Sequence, residues 1–359
     1  MTKGRVLVGM SGGVDSSVAA CLLVEQGYEV LGSHMKLVHL TMGGVDHGCC
    51  GPDARRDATL VANRLGIPFE TFDVSDEFEE TVIDDYFGEH EAGRTPNPCA
   101  RCNEHIKFGA FLRRADELGC DFVATGHYSR AARTEDGRWR LLRAADPAKD
   151  QSYVLHMMGQ QQLSRSLFPL GEMTKDRTRA EARRFGLLEI ATKPDSQEVC
   201  FVPDDDHVGF LEEFLPRMIR EGEMVDTEGN VLGTHQGSFR YTIGQRRGLG
   251  VSTGQPNYVL DIDTAANRVV VGSDELLSRS RLVADRLSWV AGEPPSDGPF
   301  EAAARVRYKG EDTPAVIEVE GEIGKVEFRS PVRAVAPGQS VVFYRGEECL
   351  GGGRILEAF

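Results

Sequence analysis

A chain of 359 residues with 41 Lys and Arg against 56 Asp and Glu, a formal charge of −15, exceeds the length at which a single core usually keeps growing, so two or three domains are expected. The acidic balance excludes a wholesale affinity for polyanions, and any nucleic-acid contact must come from local basic patches. No apolar stretch is long enough to span a bilayer, and Met1-Thr-Lys-Gly4 enters a strand almost at once without a signal-peptide core, so no membrane partner and a location in the cytoplasm are expected. There, the eight cysteines are expected to be reduced, catalytic or metal-binding rather than a structural disulfide set.

In chain order, Arg5-Val-Leu-Val-Gly-Met10 reads as an apolar strand, Ser11-Gly-Gly-Val-Asp-Ser-Ser17 as a turn and Val18–Val24 as an amphipathic helix. A strand that ends in Gly and Ser and passes straight into a helix brings several backbone N–H groups and a helix N-terminus to one spot, an arrangement that holds phosphate. No Gly-Lys-Ser/Thr follows, and the glycines are adjacent rather than spaced G-x-G-x-x-G, so neither the Walker A pattern nor the dinucleotide fingerprint applies. A strand at 29–35, an irregular stretch at 36–52, a helix at 53–65, a strand at 69–74, helices at about 77–91 and 106–118 and a strand at 122–125 follow. Strands alternating with helices predict an α/β fold with a parallel sheet covered on both faces. Loops at the carboxyl ends of such strands share one crevice, which puts Met35, Gly126 and His127 near the nucleotide.

Past Arg130 the spacing predicts a short strand at 139–143, a helix at 152–163 and a basic helix at 175–185 with Gly186 as its C-cap. From about Asp206 the character changes: a helix at 208–218, then Gly-spaced β segments at 233–239, 258–263 and 268–271. Further segments at 302–308, 315–320, 325–328 and 340–344 predict a small barrel or sandwich, with 293–299 as a loop or linker. The expected division is a nucleotide-binding catalytic domain at 1–205, a small β-rich central domain at 206–275 and a C-terminal β-barrel at 276–359.

Chemistry concentrates on two cysteine stretches. In Gly93-Arg-Thr-Pro-Asn-Pro-Cys99-Ala-Arg-Cys102-Asn103, two prolines and an Asn rigidify a turn that presents Cys99 and Cys102 just before a helix. A thiolate there is stabilised, with Arg94, Arg101 and Lys107 pushing the same way. The second stretch is Lys193-Pro-Asp-Ser-Gln-Glu-Val-Cys200-Phe201. Two separated reactive cysteines suggest a sulfur relay in which one carries a persulfide and the other resolves it as a disulfide. The alternative is an iron–sulfur cluster on Cys99, Cys102 and Cys200, which Cys-x-x-Cys plus one distant Cys permits without demanding.

Ser11-Gly-Gly-Val-Asp-Ser16 resembles the PP-loop of the ATP pyrophosphatases, which cleave ATP between the α and β phosphates and adenylate a substrate. Further stretches match in order: Asp57-Ala58, Gly66-Ile-Pro68, Gly93–Pro98 with Cys102-Asn103, Ile106-Lys-Phe108, Thr125-Gly-His127, Lys149-Asp-Gln-Ser152 and Leu167-Phe-Pro-Leu-Gly171. Asp195–Glu198 with Cys200-Phe201, Tyr241–Arg246, Arg307-Tyr308, Pro337-Gly-Gln339 and Gly351–Gly353 complete the series. With these the whole chain resembles the bacterial tRNA-specific 2-thiouridylases. The resemblance implies an enzyme that uses ATP and Mg²⁺ to replace the C2 oxygen of wobble uridine 34 with sulfur, in tRNAs of the Lys, Glu and Gln type. It implies nucleotide contacts at Gly9, Met10, Ser11, Gly12, Gly13, Val14, Asp15, Ser16, Met35 and Gly126. Cys102 is then the nucleophile, and Cys200 the carrier of a persulfide delivered by a cysteine desulfurase or sulfur carrier protein. Contacts with tRNA fall on Asn97, Pro98, Cys99, His127, Lys149, Asp150, Gln151, Arg307, Tyr308 and Gln339. Some members carry Asp at the place of Cys99, which leaves an acid/base role there open; Cys49-Cys50 receives no role.

Uridine C2=O is a poor electrophile, and moving AMP onto its oxygen makes that oxygen a good leaving group. The PP-loop holds the departing pyrophosphate with Mg²⁺ offsetting its charge, and Asp15 either positions that ion or caps the helix. Sulfur reaches C2 either as the terminal sulfur of the Cys200 persulfide or as sulfide freed when Cys102 attacks it; both routes stand open. His127 either touches base or phosphate or serves only as a hydrogen-bonding residue. Arg177, Arg179, Arg183, Arg184 and Arg246-Arg247 form a local positive track or a solvated face. Gln339 is expected to reach the anticodon region and Tyr308 to stack a base or pack in the barrel. The rival reading is a PP-loop pyrophosphatase acting on a small-molecule carbonyl or carboxylate, which leaves Cys102 and Cys200 without a job. A non-enzymatic RNA-binding module that kept a dead nucleotide fold is the third. Residues 36–51 and 93–101 are expected to be mobile until tRNA binds.

Overall fold

The computed structural model describes residues 2–38, 52–195, 199–251 and 254–359, so Cys49, Cys50 and most of the 36–51 stretch lie outside the described residues, as do 196–198. Strand β1 (Arg5–Gly9) is buried from Val6 to Val8 without alternation, as a strand covered on both faces must be. It pairs in parallel with β2 (Glu29–Lys36), which pairs with β3 (Phe69–Asp73), and on its other edge with β4 (Phe122–Ala124). The hairpin β5 (Arg130–Arg133) and β6 (Trp139–Leu142) leaves the sheet, and β7 (Ser166–Leu167) returns to β4. The order β3-β2-β1-β4-β7 reverses direction at β1. Such a switch point opens a crevice at the carboxyl ends of β1 and β4, where the Gly9–Ser16 turn and Gly126 stand.

Helix α1 (Val14–Glu25) starts on Gly13 with no side-chain cap, leaving its first N–H groups to other partners. The helix carrying Cys102 begins eight positions before the sequence spacing places it. Asn97 caps it, its Oδ1 accepting from the Ala100 N–H at 3.2 Å, and Pro98 takes the first helical position, where its missing N–H is harmless. Cys99 and Cys102 therefore lie inside the helical run 98–117, and Cys102 opens the π-helical turns Cys102–Ala110 within it. The helix expected at 152–163 is broken into a 3₁₀ turn, Ser152–Leu155, and a helix, Gln160–Ser164. Gly159 restarts the chain there, its N–H donating to Gln162 Oε1 at 3.1 Å. The basic helix Lys175–Arg184 closes as expected: Gly186 at φ +73° lets the Leu187 N–H reach Ala182 O and its own N–H reach Arg183 O, both at 2.8 Å.

The central region is a four-stranded sheet, β10-β11-β8-β9, built from β8 (Gly222–Val225), β9 (Val231–His235), β10 (Tyr258–Asp263) and β11 (Arg268–Gly272). Beyond it, β12 (Ser278–Trp289), β13 (Phe300–Arg305), β14 (Thr313–Glu320), β15 (Ile323–Arg333), β16 (Ser340–Arg345) and β17 (Glu348–Ala358) close into an antiparallel barrel, β17 pairing back to β12. Gly351–Gly353 make this closure fit: a Cβ at Gly351 would stand 2.1 Å from Ser288 O, and one at Gly353 2.6 Å from Asp285 O. The barrel is fused to the nucleotide domain. Hairpin β5–β6 adds to β17 through Leu141 and Leu142, and Val342, Tyr344 and Cys349 share one buried cluster with Leu7, Phe111 and Tyr153.

Candidate active site

The Gly9–Ser16 turn is held open by its own bonds. Met10 N–H donates to Ser33 O at 2.8 Å, Ser11 N–H to Ser16 Oγ at 3.2 Å and Ser17 Oγ–H to Gly13 O at 2.8 Å. Gly12 sits at φ +72° with room for nothing more, since a Cβ would lie 2.3 Å from Ala54 O. A Cβ on Gly126 would lie 2.7 Å from Ser16 N, so the end of β4 abuts the start of α1. Met10 and Val14 bury their side chains and leave only backbone for a ligand. Met35 stands over Gly9, its Cε 3.2 Å from where a Cβ would be. A backbone cradle at an uncapped helix N-terminus, shaped by glycines, fits a phosphate chain.

Asp15 does not cap the helix. Both of its oxygens accept from Lys175 Nζ at 2.8 Å, and Oδ1 also accepts from Tyr128 Oη at 2.8 Å. Lys175 reaches on to Asp195 at 2.8 Å, which also takes Lys149 at 2.6 Å and Arg179 at 2.7 Å. Burial pushes the Asp195 carboxyl up, but Lys149 and Lys175 outweigh it and hold the group down at about 2. Arg179 further donates to the Ala191 and Lys193 carbonyls at 2.7 and 2.9 Å. Lys193 binds Gly12 O at 3.0 Å and pairs with Asp57. The segment that leads to Cys200 is thus tied to the turn and to α1 by ion pairs. Lys175 and Lys193 received no role from the sequence; the only signal was the position of Asp57 and Asp195 inside motif stretches.

Cys102 is buried at 6% exposure and Cys99 is exposed. Cys200 and Val199 pack partly buried against the same hydrophobic cluster that holds Cys102 and Phe201, so the structure brings the two cysteine stretches to one place. Phe201 anchors its stretch edge-on to Phe78 and Tyr86, at 5.6 and 5.3 Å between centroids. The arginines expected to favour a thiolate are engaged elsewhere: Arg94 with Glu89 at 2.7 Å, Arg101 with Glu104 at 2.5 Å and Asp85 at 3.6 Å. The cluster alternative is corrected. Among the described residues no three His, Cys, Asp or Glu gather as a metal site, with Cys99 outward on the helix's first turn and Cys102 inward.

The remaining candidates are scattered around this centre. His127 is buried, its Nδ1 2.7 Å from Thr125 Oγ1, and burial with Lys107 nearby drives its pKa well below the usual range. Asp150 is buried and serves the fold, accepting from Ala144 N–H at 3.0 Å and Ser152 Oγ–H at 2.9 Å. Gln151 accepts from Tyr128 N–H at 2.9 Å. Gln339 donates to the Thr95 and Pro96 carbonyls at 3.1 and 2.8 Å. Arg307 and Tyr308 do not continue a strand, since β13 ends at Arg305; both lie in a turn, Arg307 exposed and Tyr308 covered on the rest of its surface at 36% exposure, its ring 6.1 Å from that of Tyr153. Burial, with Asp150 and Cys99 adding, pushes the Tyr308 phenol up to about 12. Arg184, expected in a basic track, is paired with Glu25 at 2.7 Å and with Glu181 at 2.5 Å.

A nucleotide-binding α/β domain followed by two small β domains is the class that this geometry defines. Residues 4–204 match the tRNA methyl transferase HUP domain family, 208–273 the tRNA methyl transferase PRC-barrel domain and 279–355 the aminomethyltransferase beta-barrel domain. Among full-length relatives, the tRNA-specific 2-thiouridylase MnmA of Geobacter metallireducens is 48% identical, covering 98% of this chain and 97% of its own. The protein of the same name from Heliobacterium modesticaldum is 49% identical over 99% of this chain and 93% of its own. That from Lachnoclostridium phytofermentans is 46% identical over 98% and 99%. The chain belongs to the tRNA-specific 2-thiouridylase family.

Proposed function

We propose that this protein makes 2-thiouridine in tRNA, transferring AMP from ATP to the C2 oxygen of wobble uridine 34 and then replacing that oxygen with sulfur from a cysteine persulfide. The observation that carries the reading is the coupling of a glycine-shaped phosphate cradle, through Asp15, Lys175 and Asp195, to the segment bearing Cys200, which shares a cluster with Cys102. The backbone of Gly9–Ser16, with Met35 and Gly126 beside it, holds the phosphates of ATP. Lys175 and Lys193 lie close enough to the turn to offset charge on a departing pyrophosphate. Mg²⁺ bound with ATP would offset part of that charge, and Asp15 would help to hold it once Lys175 gives up its carboxylate.

Uridine O2 attacks the α phosphorus and pyrophosphate leaves, giving the O2-adenylate. A persulfide on Cys200, loaded by a cysteine desulfurase or sulfur carrier protein, supplies sulfur at the oxidation level of S⁰. Cys102 contributes the second electron pair: the persulfide S–S bond breaks, a C2=S bond forms, AMP leaves with the oxygen, and Cys102 and Cys200 end as a disulfide. A thiol reductant then restores both thiols. Direct attack by the persulfide and attack by freed sulfide give this same balance. Arg307, Tyr308 and Lys149 meet the tRNA backbone, and Asn97, Pro98, Cys99 and His127 line the place where the splayed uridine of a Lys, Glu or Gln tRNA enters. The three functional units are read as 1–205, 206–275 and 276–359. Among the described residues no helix is long and apolar enough to cross a membrane, and thiol chemistry of this kind suits the reducing cytoplasm.

The test is nucleoside mass spectrometry of unmodified tRNA after incubation with ATP, Mg²⁺ and a persulfide-generating desulfurase. Wild type is expected to give 2-thiouridine, and Cys102→Ser and Cys200→Ser none. Product from either variant at the wild-type rate would remove that thiol from the mechanism.

A further inference from the structure

The loop that presents Cys99 and Cys102 belongs to the nucleotide domain, yet its grip comes from the barrel. Thr95 N–H donates to Pro337 O at 2.8 Å, and the Gln339 amide closes on the Thr95 and Pro96 carbonyls. Asn97, whose Oδ1 caps the cysteine helix, gives its Nδ2–H to Ser340 Oγ at 3.1 Å. At the loop's start, Glu89 is 4% exposed and holds Arg94 through two bonds at 2.7 and 2.8 Å. Arg354 of β17 pairs with the same carboxylate and is itself gripped by Asp285 at 2.9 and 2.5 Å. Burial pushes the Glu89 carboxyl up, and the two guanidiniums more than offset it, leaving an anion clamped from both domains. These bonds are additional to those that hold the two domains together elsewhere. Docking has its own contacts, from the pairing of β6 with β17 to the Tyr153 hydroxyl on Ser340 O at 2.7 Å.

We propose that Arg354 and Gln339 are positioning residues for the thiol chemistry: the barrel sets the placement of Cys102 through Glu89, Arg94 and the 95–97 loop. The inference rests on the sulfur-transfer reading above for what that placement serves. Arg354→Gln breaks the ionic side of the clamp, and Gln339→Ala, which removes only two hydrogen bonds, is the milder of the two variants.

Two measurements decide it, on the full chain. The first is alkylation of Cys102 by iodoacetamide, separated from Cys99 by fragment-ion mass spectrometry. A buried thiol on a loosened helix start is expected to react about fivefold faster in each variant. The second is steady-state thiolation, in which kcat is expected to fall roughly tenfold or more with KM for tRNA within about twofold of wild type. Unchanged alkylation of Cys102 in both variants overturns the proposal. So does a raised KM for tRNA with kcat intact, which would make these side chains RNA contacts. If wild type forms no 2-thiouridine, the reaction reading falls instead, and the alkylation comparison still decides whether the barrel positions the thiol.

Discussion

Replacing Asp195 with asparagine tests whether ion pairs really fasten the Cys200 segment to the nucleotide turn. The carboxylate receives Lys149, Lys175 and Arg179 and is held near pKa 2 against an ordinary value of 3.8. A folded-state pKa below the unfolded one means that the stabilisation is fully present above about pH 4 and is lost as pH falls toward 2. At pH 7 the shift corresponds to about 2 kcal/mol, since each unit is worth about 1.4 kcal/mol. A neutral amide in its place can still accept a hydrogen bond but attracts no cation, so most of this is expected to disappear. Because a chain of several domains need not unfold in one step, the assay should be local: native-state hydrogen exchange of the Lys193 amide, which donates to Ile190 O at 3.2 Å. Exchange at pH 7 is expected to quicken about thirtyfold in Asp195→Asn. A change below about threefold would refute the reasoning and reduce the network to surface pairing.

Gly12→Ala is expected to weaken ATP binding at least about tenfold by titration calorimetry, because the new Cβ meets the Ala54 carbonyl and φ is positive, while Gly13→Ala, whose Cβ finds nothing nearer than Ser11 Oγ at 3.6 Å, should fold as wild type. Equal affinities in Gly12→Ala and wild type would count against the cradle. Burial holds His156 at a pKa of about 4, so the unfolded chain takes up the proton first, and stability is expected to drop by up to about 3 kcal/mol as pH falls from about 6.5 to 4. Thermal melts across that window should show a shallower decline in His156→Asn, and parallel curves would refute the assignment. Arg307→Ala, at an exposed turn, should weaken tRNA binding and lower the slope of log affinity against log salt by about 1, and an unchanged slope would exclude a phosphate contact.

The sequence makes the nucleotide turn legible because its signals are local: an unbroken apolar run, adjacent glycines and an uncapped helix start all fall within Arg5–Glu25. The start of the cysteine helix is misread for an equally local reason. Asn97 and Pro98 serve a turn or a helix N-terminus alike, and the Ala100 bond to Asn97 decides between them. Strand β17 escapes notice because three consecutive glycines at 351–353 interrupt any apolar alternation, whereas a closing barrel needs the missing side chains. Strand β12 alternates arginines with apolar residues too irregularly to stand out. The ion-pair machinery could not be read at all. Lys175 meets Asp15 across 160 positions and Arg354 meets Glu89 across 265, and nothing in either neighbourhood names its partner.

Hairpin β5–β6 also has a life before the barrel exists. Its partner strand follows about 200 residues later, as the Arg143 bond to Gly346 shows by its separation of 203. At translation speeds of 5 to 20 residues per second, the hairpin waits roughly 10 to 40 s on the ribosome with an open edge. Such an edge invites pairing with a neighbouring nascent chain. Arg130, Arg133, Arg138, Arg140 and Arg143 crowd this hairpin and its flanks, and like charges along an edge disfavour its pairing with a second copy. Several of these charges later settle onto acidic partners from the arriving barrel, among them Asp312, Glu347 and Glu348. The arginines that charge the open edge are thus the ones that fasten it to the barrel in the folded chain.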